Sequence, residues 1–185
     1  MALTHSSEGS LNSEVPDFLL PGVDDKKYSL KNFEGAKALV VVFMCNHCPY
    51  VIATRGRINA LAKKYESQGV RVVGISSNDA VKYPDDNFEE MKKVSKELGY
   101  VFPYLFDESQ KVAKAYGAVC TPEFYAYTAQ GGKFLLKYKG RLDDNWKDEK
   151  AVTKRDLAAA LDQMLQGQEP AKEQVPAMGC SIKWK

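Results

Sequence analysis

Apolar runs alternate with amphipathic stretches along the chain, and that alternation predicts most of its elements. "AKALVVVFM", residues 36–44, is unbroken and rich in β-branched residues, the pattern of a strand buried on both faces of a mostly parallel sheet. "GVRVVGISS", residues 69–77, repeats the pattern. Between them the period changes. From Pro49 to Gly69, Ile58, Leu61, Ala62 and Tyr65 recur at helical spacing, with Arg55, Lys63 and Lys64 off the stripe. "PDDNFEEMKKVSKELG" predicts a second helix, with Asp85 or Asp86 as cap, a stripe of Phe88, Met91, Val94 and Leu98, and Gly99 as stop. A short strand in "FPYLFD" and a short helix in "SQKVAKAYG" follow. "EFYAYTAQGGKFLLKYKG" predicts a hairpin turning at Gly131-Gly132, with Phe134, Leu136 and Tyr138 on one face. "TKRDLAAALDQMLQG" predicts the last helix. Ahead of all these, "VPDFLLPGVDDKKYSLKNFEG" reads as two extended pieces around a turn at Gly22 and Asp24-Asp25.

These elements divide the chain into a flexible N-terminus over 1–14, one domain over 15–166 and a C-terminal tail over 167–185. The tail holds Pro170 and Pro176, which argue against one continuous helix. If its end is extended, Ile182 and Trp184 share a side. Strands alternating with helices, then a hairpin and a helix, indicate an α/β fold with a central mixed sheet flanked by helices.

Composition narrows the class. A chain of 185 residues suffices for one domain with a full core. Its 26 basic and 24 acidic residues are spread evenly, with no block suited to nucleic acid or a membrane surface. The start has no apolar segment of the signal-peptide kind, and no run approaches the roughly 20 residues that span a bilayer. A cytoplasmic protein is expected. Four cysteines are too few for a disulfide scaffold, and cysteines kept in a reducing compartment are more often catalytic, redox-active or metal-binding.

Two of them stand close together, in "VVVFMCNHCPYV". A strand running into Cys45-x-x-Cys48 and then a helix sets the pair at a helix N-terminus, where free N–H groups favour a thiolate. Pro49 suits the first helical turn. His47 adds a group able to support Cys45. Cys45 is expected to attack and Cys48 to resolve, shielded by the helix. Two other readings stand beside this one. The pair could be half of a zinc site, but no second Cys-x-x-Cys exists, and nothing in the spacing of Cys120, Cys180 and His5 completes a ligand set. The two cysteines could also be inert core residues.

Downstream, "YGAVCTPEFYAY" offers Thr121-Pro122 as a candidate cis bond. The order of strand, Cys-x-x-Cys, helix, strand, helix, "DESQKVAKAYGAVCTPEFYAY", "GGKFLLKYKGRLDD" and final helix resembles the thioredoxin superfamily. Within it, the chain is similar to the redoxin group of alkyl hydroperoxide reductase/thiol-specific antioxidant (AhpC/TSA) and thioredoxin-like proteins, over roughly residues 15 to 165. The resemblance implies a thioredoxin-like fold with an N-terminal extension, Pro122 as a cis-proline facing the cysteine pair, and the Thr121 backbone open to a substrate peptide. Thioredoxins carry Gly-Pro where this chain has Asn46-His47. The peroxiredoxin pattern Pro-x-x-x-Thr-x-x-Cys fits neither cysteine: from Cys48 it meets Cys45 and Val41, and from Cys45 it meets Val42 and Ala38.

The expected activity is that of a thiol–disulfide oxidoreductase. A protein or small-molecule disulfide is its substrate and a separate dithiol its electron donor, with no cofactor, metal, nucleic acid or membrane. The alternatives are a thiol peroxidase and a redox-inert peptide-binding module of the same fold. Cys120 is read as a supporting residue or a small apolar loop residue. Cys180 is read as an extra resolving thiol or, preferably, a bystander. Glu123 is a candidate proton relay to Cys48. Arg141, with Asp143 and Asp144, forms either a substrate-side ion pair or a solvated turn.

Overall fold

The run Ala38–Phe43 is buried at every position and forms the middle strand of the main sheet. In the computed structural model, which describes residues 3–185, the elements are β1 (Leu3–His5), β2 (Leu19–Pro21), β3 (Lys27–Ser29), β4 (Ala38–Phe43), α1 (Pro49–Glu66), β5 (Val70–Ser76), α2 (Phe88–Leu98), β6 (Tyr104–Phe106), α3 (Lys111–Tyr116), β7 (Cys120–Thr121), β8 (Glu123–Gln130), β9 (Lys133–Gly140), α4 (Asp156–Leu165) and β10 (Met178–Ser181). The main sheet has the order β6-β5-β4-β8-β9. Strands β4, β5 and β6 are parallel, and β8 and β9 pair antiparallel. This is the expected thioredoxin-like α/β arrangement.

Successive side chains of a strand leave opposite faces. Val40 and Val42 join Ile58, Tyr65, Met91, Leu157 and Leu161 in the core under α1, α2 and α4. Leu39, Val41 and Phe43 join Val112 and Tyr116 of α3, together with Phe18 and Phe33, in the other core. Each such side chain contributes about 1.5–3 kcal/mol by its burial, so β4 is held from both sides. Cys45, Cys48 and Cys180 all belong to the α1 core. No helix among the described residues is long and apolar enough to cross a membrane.

Four expectations need correction. Asn87, rather than Asp85 or Asp86, caps α2 by accepting from Glu90 N at 2.9 Å, and residues 84–86 form a separate turn begun by Pro84. Of the α2 stripe only Met91 is buried and Leu98 is exposed, because the helix packs at the β6 edge of the sheet. In β9, Phe134 and Leu136 face one core but Tyr138 faces the other. The register shift opposite Ala126/Tyr127 is a bulge, which turns the following side chain to the other face.

The fourth concerns the first 14 residues, expected to be flexible. Residues 1 and 2 lie outside the described residues. The remainder is tied to the body. β1 pairs with β10, Ser6 N donates to Ala177 O at 2.9 Å, and Asn12 N donates to Leu136 O at 2.8 Å. Backbone groups make these bonds, so the polar side chains gave no sign of them.

Candidate active site

Strand β4 ends one residue before Met44, and Cys45 follows. Helix α1 begins at Pro49, so Cys48 and not Cys45 is its N-cap. That one-turn difference decides the electrostatics. The Cys48 sulfur donates to the Thr121 carbonyl oxygen at 3.1 Å, and the Cys45 and Cys180 thiols and the Val51 amide beside it favour its thiolate. The hydrogen bond with Cys45, with further help from Cys180 and Val51, outweighs burial and lowers the Cys48 pKa to about 5, from an ordinary value of about 8.5. Cys45 moves the other way. Its bond to Cys48, its burial and the nearby Asp86 charge push it well up. These directions favour the thiolate at Cys48 rather than at Cys45, where it was expected. One group opposes this, the Thr121 carbonyl oxygen 3.1 Å from Cys48 Sγ, which suits a thiol. The neighbouring thiols and amide outweigh it.

The segment between the cysteines is pinned by Asp86, which is fully buried. Its carboxylate accepts from Asn46 N at 2.8 Å, His47 N at 3.2 Å and Asn78 Nδ2 at 2.7 Å, and His47 Nδ1 lies 2.6 Å away. Burial works against its charge, but the bonds from His47 and Asn78 prevail and hold it below the usual carboxylate range. The ionised acid makes His47 Nδ1–H the donor, and this bond raises the His47 pKa. Tyr83 stacks on the same ring at 5.4 Å. His47 is thus engaged by Asp86 first and is not a cation dedicated to Cys45. Cys45, His47 and Asp86 each bring a ligand-type atom within 4.8 Å of the others, but the carboxylate is already filled with hydrogen bonds. Asn46 completes the support, donating to Asp85 O at 2.8 Å and accepting from Tyr104 OH at 3.1 Å.

Across the site, Thr121-Pro122 is cis. The Thr121 hydroxyl lies 3.5 Å from Cys45 Sγ. Glu123 turns away from Cys48. It accepts from Val119 N and Tyr125 OH, pairs with Lys139 at 3.2 Å, and approaches the Cys120 thiol at 3.7 Å. A relay from Glu123 to Cys48 is therefore replaced by a buried ion pair that fixes the loop before Pro122. Burial, then the Glu123 charge, pushes the Cys120 thiol up. Arg141 pairs with Asp156 at 2.9 Å, at the first turn of α4. Asp143 pairs with the buried Arg57, while Asp144 caps the Thr153 amide at 2.9 Å. The "GRLDD" turn is structural. Beside it, a cavity of about 270 Å³ is lined by Pro122, Phe124, Arg141, Trp146, Pro176 and Met178, among others.

The tail lies on the cysteine face of the molecule. β10 pairs antiparallel with β7 and sets Cys180 opposite Thr121. Cys180 is thereby brought to Cys48. Burial and its bond to Cys48 raise the Cys180 pKa to about 12. Ile182 is buried, while Trp184 stays 38% exposed. Sequence reasoning missed Asp86, Asn78, Arg57 and Tyr104. The one available signal is the doubled acid after Pro84, which reads locally as a helix cap.

A mixed sheet with a buried cysteine pair facing a cis-proline is a thioredoxin-like arrangement. The AhpC/TSA family model matches residues 11–144, and the chain belongs to that family. A solved structure of an uncharacterized conserved protein from Geobacillus kaustophilus is similar along the whole chain, with a TM-score of 0.93 and 43% identity over 100% of this chain and 97% of that one. Thiol-disulfide oxidoreductase ResA of Bacillus thuringiensis is 24% identical over 137 residues, 74% of each chain. Peroxiredoxin Q of Triticum aestivum is 29% identical over 108 residues, 58% of this chain and 46% of that one.

Proposed function

We propose that this chain is a thiol–disulfide oxidoreductase working through Cys45 and Cys48, with Cys48 as the attacking thiolate. The observation that carries this reading is the position of Cys48 as the N-cap of α1, where the neighbouring Cys45 thiol and Val51 amide favour its thiolate. The Cys48 thiolate attacks one sulfur of a substrate disulfide. A mixed disulfide forms, and the other substrate sulfur leaves as a thiolate. Cys45 then gives up its proton and attacks Cys48, forming Cys45–Cys48 and releasing the second substrate thiol. Two electrons have moved to the substrate, and an external dithiol returns them by the reverse steps. A thiolate favoured at Cys48 makes the dithiol form more stable and the disulfide more oxidising.

Trapping tests the reading. The double variant Cys45→Ser, Cys180→Ser should accumulate a mixed disulfide on Cys48 with a model disulfide substrate, while Cys48→Ser should accumulate none. Trapping on Cys45 in the Cys48→Ser protein would restore the opposite polarity.

The same geometry supports a second reading, as a thiol peroxidase. Cys48 lies within reach of a partner thiol, and peroxiredoxin Q is among the relatives. Peroxide would oxidise Cys48 to a sulfenic acid, releasing an alcohol or water, and Cys45 would condense with it to a disulfide and water. Saturable peroxide consumption in the presence of an added dithiol distinguishes this reading from the first.

A further inference from the structure

The edge of Thr121 that the fold resemblance offers to a substrate peptide is occupied by this chain's own tail. β10 lies on β7 with Cys180 opposite Thr121 and Ser181 opposite Cys120, and the ladder continues through Ile182 N donating to Val119 O at 2.9 Å. The next residue is anchored as well: Lys183 N donates to Asn78 Oδ1 and its carbonyl accepts from Asp79 N and Gln110 Nε2. The strand sits very close. A Cβ on Gly179 would lie 2.0 Å from the Thr121 carbonyl oxygen, so only glycine permits this approach. The result is a central sulfur, Cys48, which donates to the Thr121 carbonyl oxygen and has two thiols beside it, Cys45 and Cys180. The three are 2%, 0% and 3% exposed, so an incoming disulfide meets the tail before it meets Cys48.

We propose that Cys180 is a third member of the redox centre, carried on a tethered strand that occupies the substrate's place. The proposal rests on the Cys45–Cys48 reading. In the oxidised centre, Cys180 loses its proton and attacks Cys48. The Cys48–Cys180 bond forms as the Cys45–Cys48 bond breaks, and Cys45 leaves with the pair of electrons and takes up a proton, beside the Thr121 hydroxyl at 3.5 Å. The exchange is redox-neutral and needs no further reactant. It shifts the disulfide from α1 and the β4 end onto the tail, and it pins β10 over the site. Holding the sulfurs close together makes the exchange effectively unimolecular.

The test is disulfide mapping of the full chain after mild oxidation with oxidised glutathione and an acid quench. The wild type should yield both Cys45–Cys48 and Cys48–Cys180 peptides, and Cys45→Ser should still form Cys48–Cys180. Gly179→Val in the Cys45→Ser background keeps Cys180 but forces β10 off the Thr121 carbonyl, so it should slow that linkage by roughly tenfold or more. Wild type giving Cys45–Cys48 alone, with no linkage in Cys45→Ser, overturns the proposal and leaves the Cys45–Cys48 reading intact. A linkage unaffected by Gly179→Val also overturns it, since a loose tail would then suffice. No disulfide on Cys48 in the wild type removes both readings. Cys48–Cys180 alone, with no Cys45–Cys48, removes the exchange and drops Cys45 from the centre.

Discussion

Asp86 grips His47 twice, through the ring Nδ1 at 2.6 Å and the backbone N–H at 3.2 Å. Together with its bonds to Asn46 N and Asn78 Nδ2, this sets the path of the chain between the two cysteines. Asp86→Ala would leave two loop amides and the Asn78 side chain without their acceptor. Orphaned buried donors and a broken partly buried pair together should cost about 3–5 kcal/mol. Urea denaturation of the reduced protein measures it. A loss below about 1 kcal/mol would mean that the loop is held by something else.

The same pair gives a pH dependence of known sign. The His47 pKa is raised by Asp86, so its contribution is complete below the unfolded value of about 6.5 and is lost as pH rises through the folded value. The Asp86 pKa is lowered, so its contribution is present above about 3.9 and is lost as pH falls through the folded value. Both act together at about pH 5–6. The Tm advantage of wild type over His47→Gln should therefore be largest there and should shrink toward alkaline pH. A difference that stays constant into the alkaline range would show that His47 acts through packing on Tyr83 alone.

In the reduced protein, thiolate ultraviolet absorbance should rise with a midpoint near 5. Because the folded value lies below the free value of about 8.5, the thiolate stabilises the reduced fold fully above the free value and loses that effect as pH falls through the folded one. Cys48→Ser should abolish the acid step. The double variant Cys45→Ala, Cys180→Ala should move it up toward the free value, as both thiol donors are gone. The reduction potential follows, with about 30 mV for each 1.4 kcal/mol of lost thiolate stabilisation. An acid step that survives Cys48→Ser would assign the thiolate to Cys45.

The main sheet and its helices were legible because each announces itself locally. Val40–Phe43 is apolar without a break, and Ile58, Leu61, Ala62 and Tyr65 mark one helical face, all of them buried. The cysteine pair, Thr121 and Pro122 were legible as a combination. Which cysteine caps α1 was not, because Pro49 fits the first turn of a helix begun at Pro49 or a few residues earlier. The second sheet was hidden for another reason. β1, β7 and β10 are two to four residues long, too short for alternation to register, and their pairing joins the two ends of the chain to its middle. Cys180 could reach Cys48 only through that ladder, so its place could not be read from the tail alone.

The last prediction concerns Arg57, which the helical stripe of α1 left unassigned. Its guanidinium is buried against Asp143 and donates to Asn145 O at 2.9 Å and Trp146 O at 2.7 Å, fastening the turn after β9 onto α1. Tyr50 and Trp146 pack beside it at 4.2 Å. The turn borders the cavity next to Pro122. The pair is not ideal, since Arg57 Nε is buried without a partner, so its net worth against an apolar substitute is small. Removing one side only is different: Arg57→Met strands the Asp143 carboxylate and should cost about 3–5 kcal/mol. Burial already raises the Asp143 pKa against the pull of Arg57, and without Arg57 it rises further. A carboxyl raised in the folded state is destabilising when charged, and the penalty is relieved as pH falls through that value. Arg57→Met should therefore lose less stability at acid pH than at neutral pH. The double variant Arg57→Met, Asp143→Leu should recover most of the loss at neutral pH. Urea denaturation at the two pH values reads both effects, and an equal loss at each would show that Arg57 matters for its packing rather than its charge.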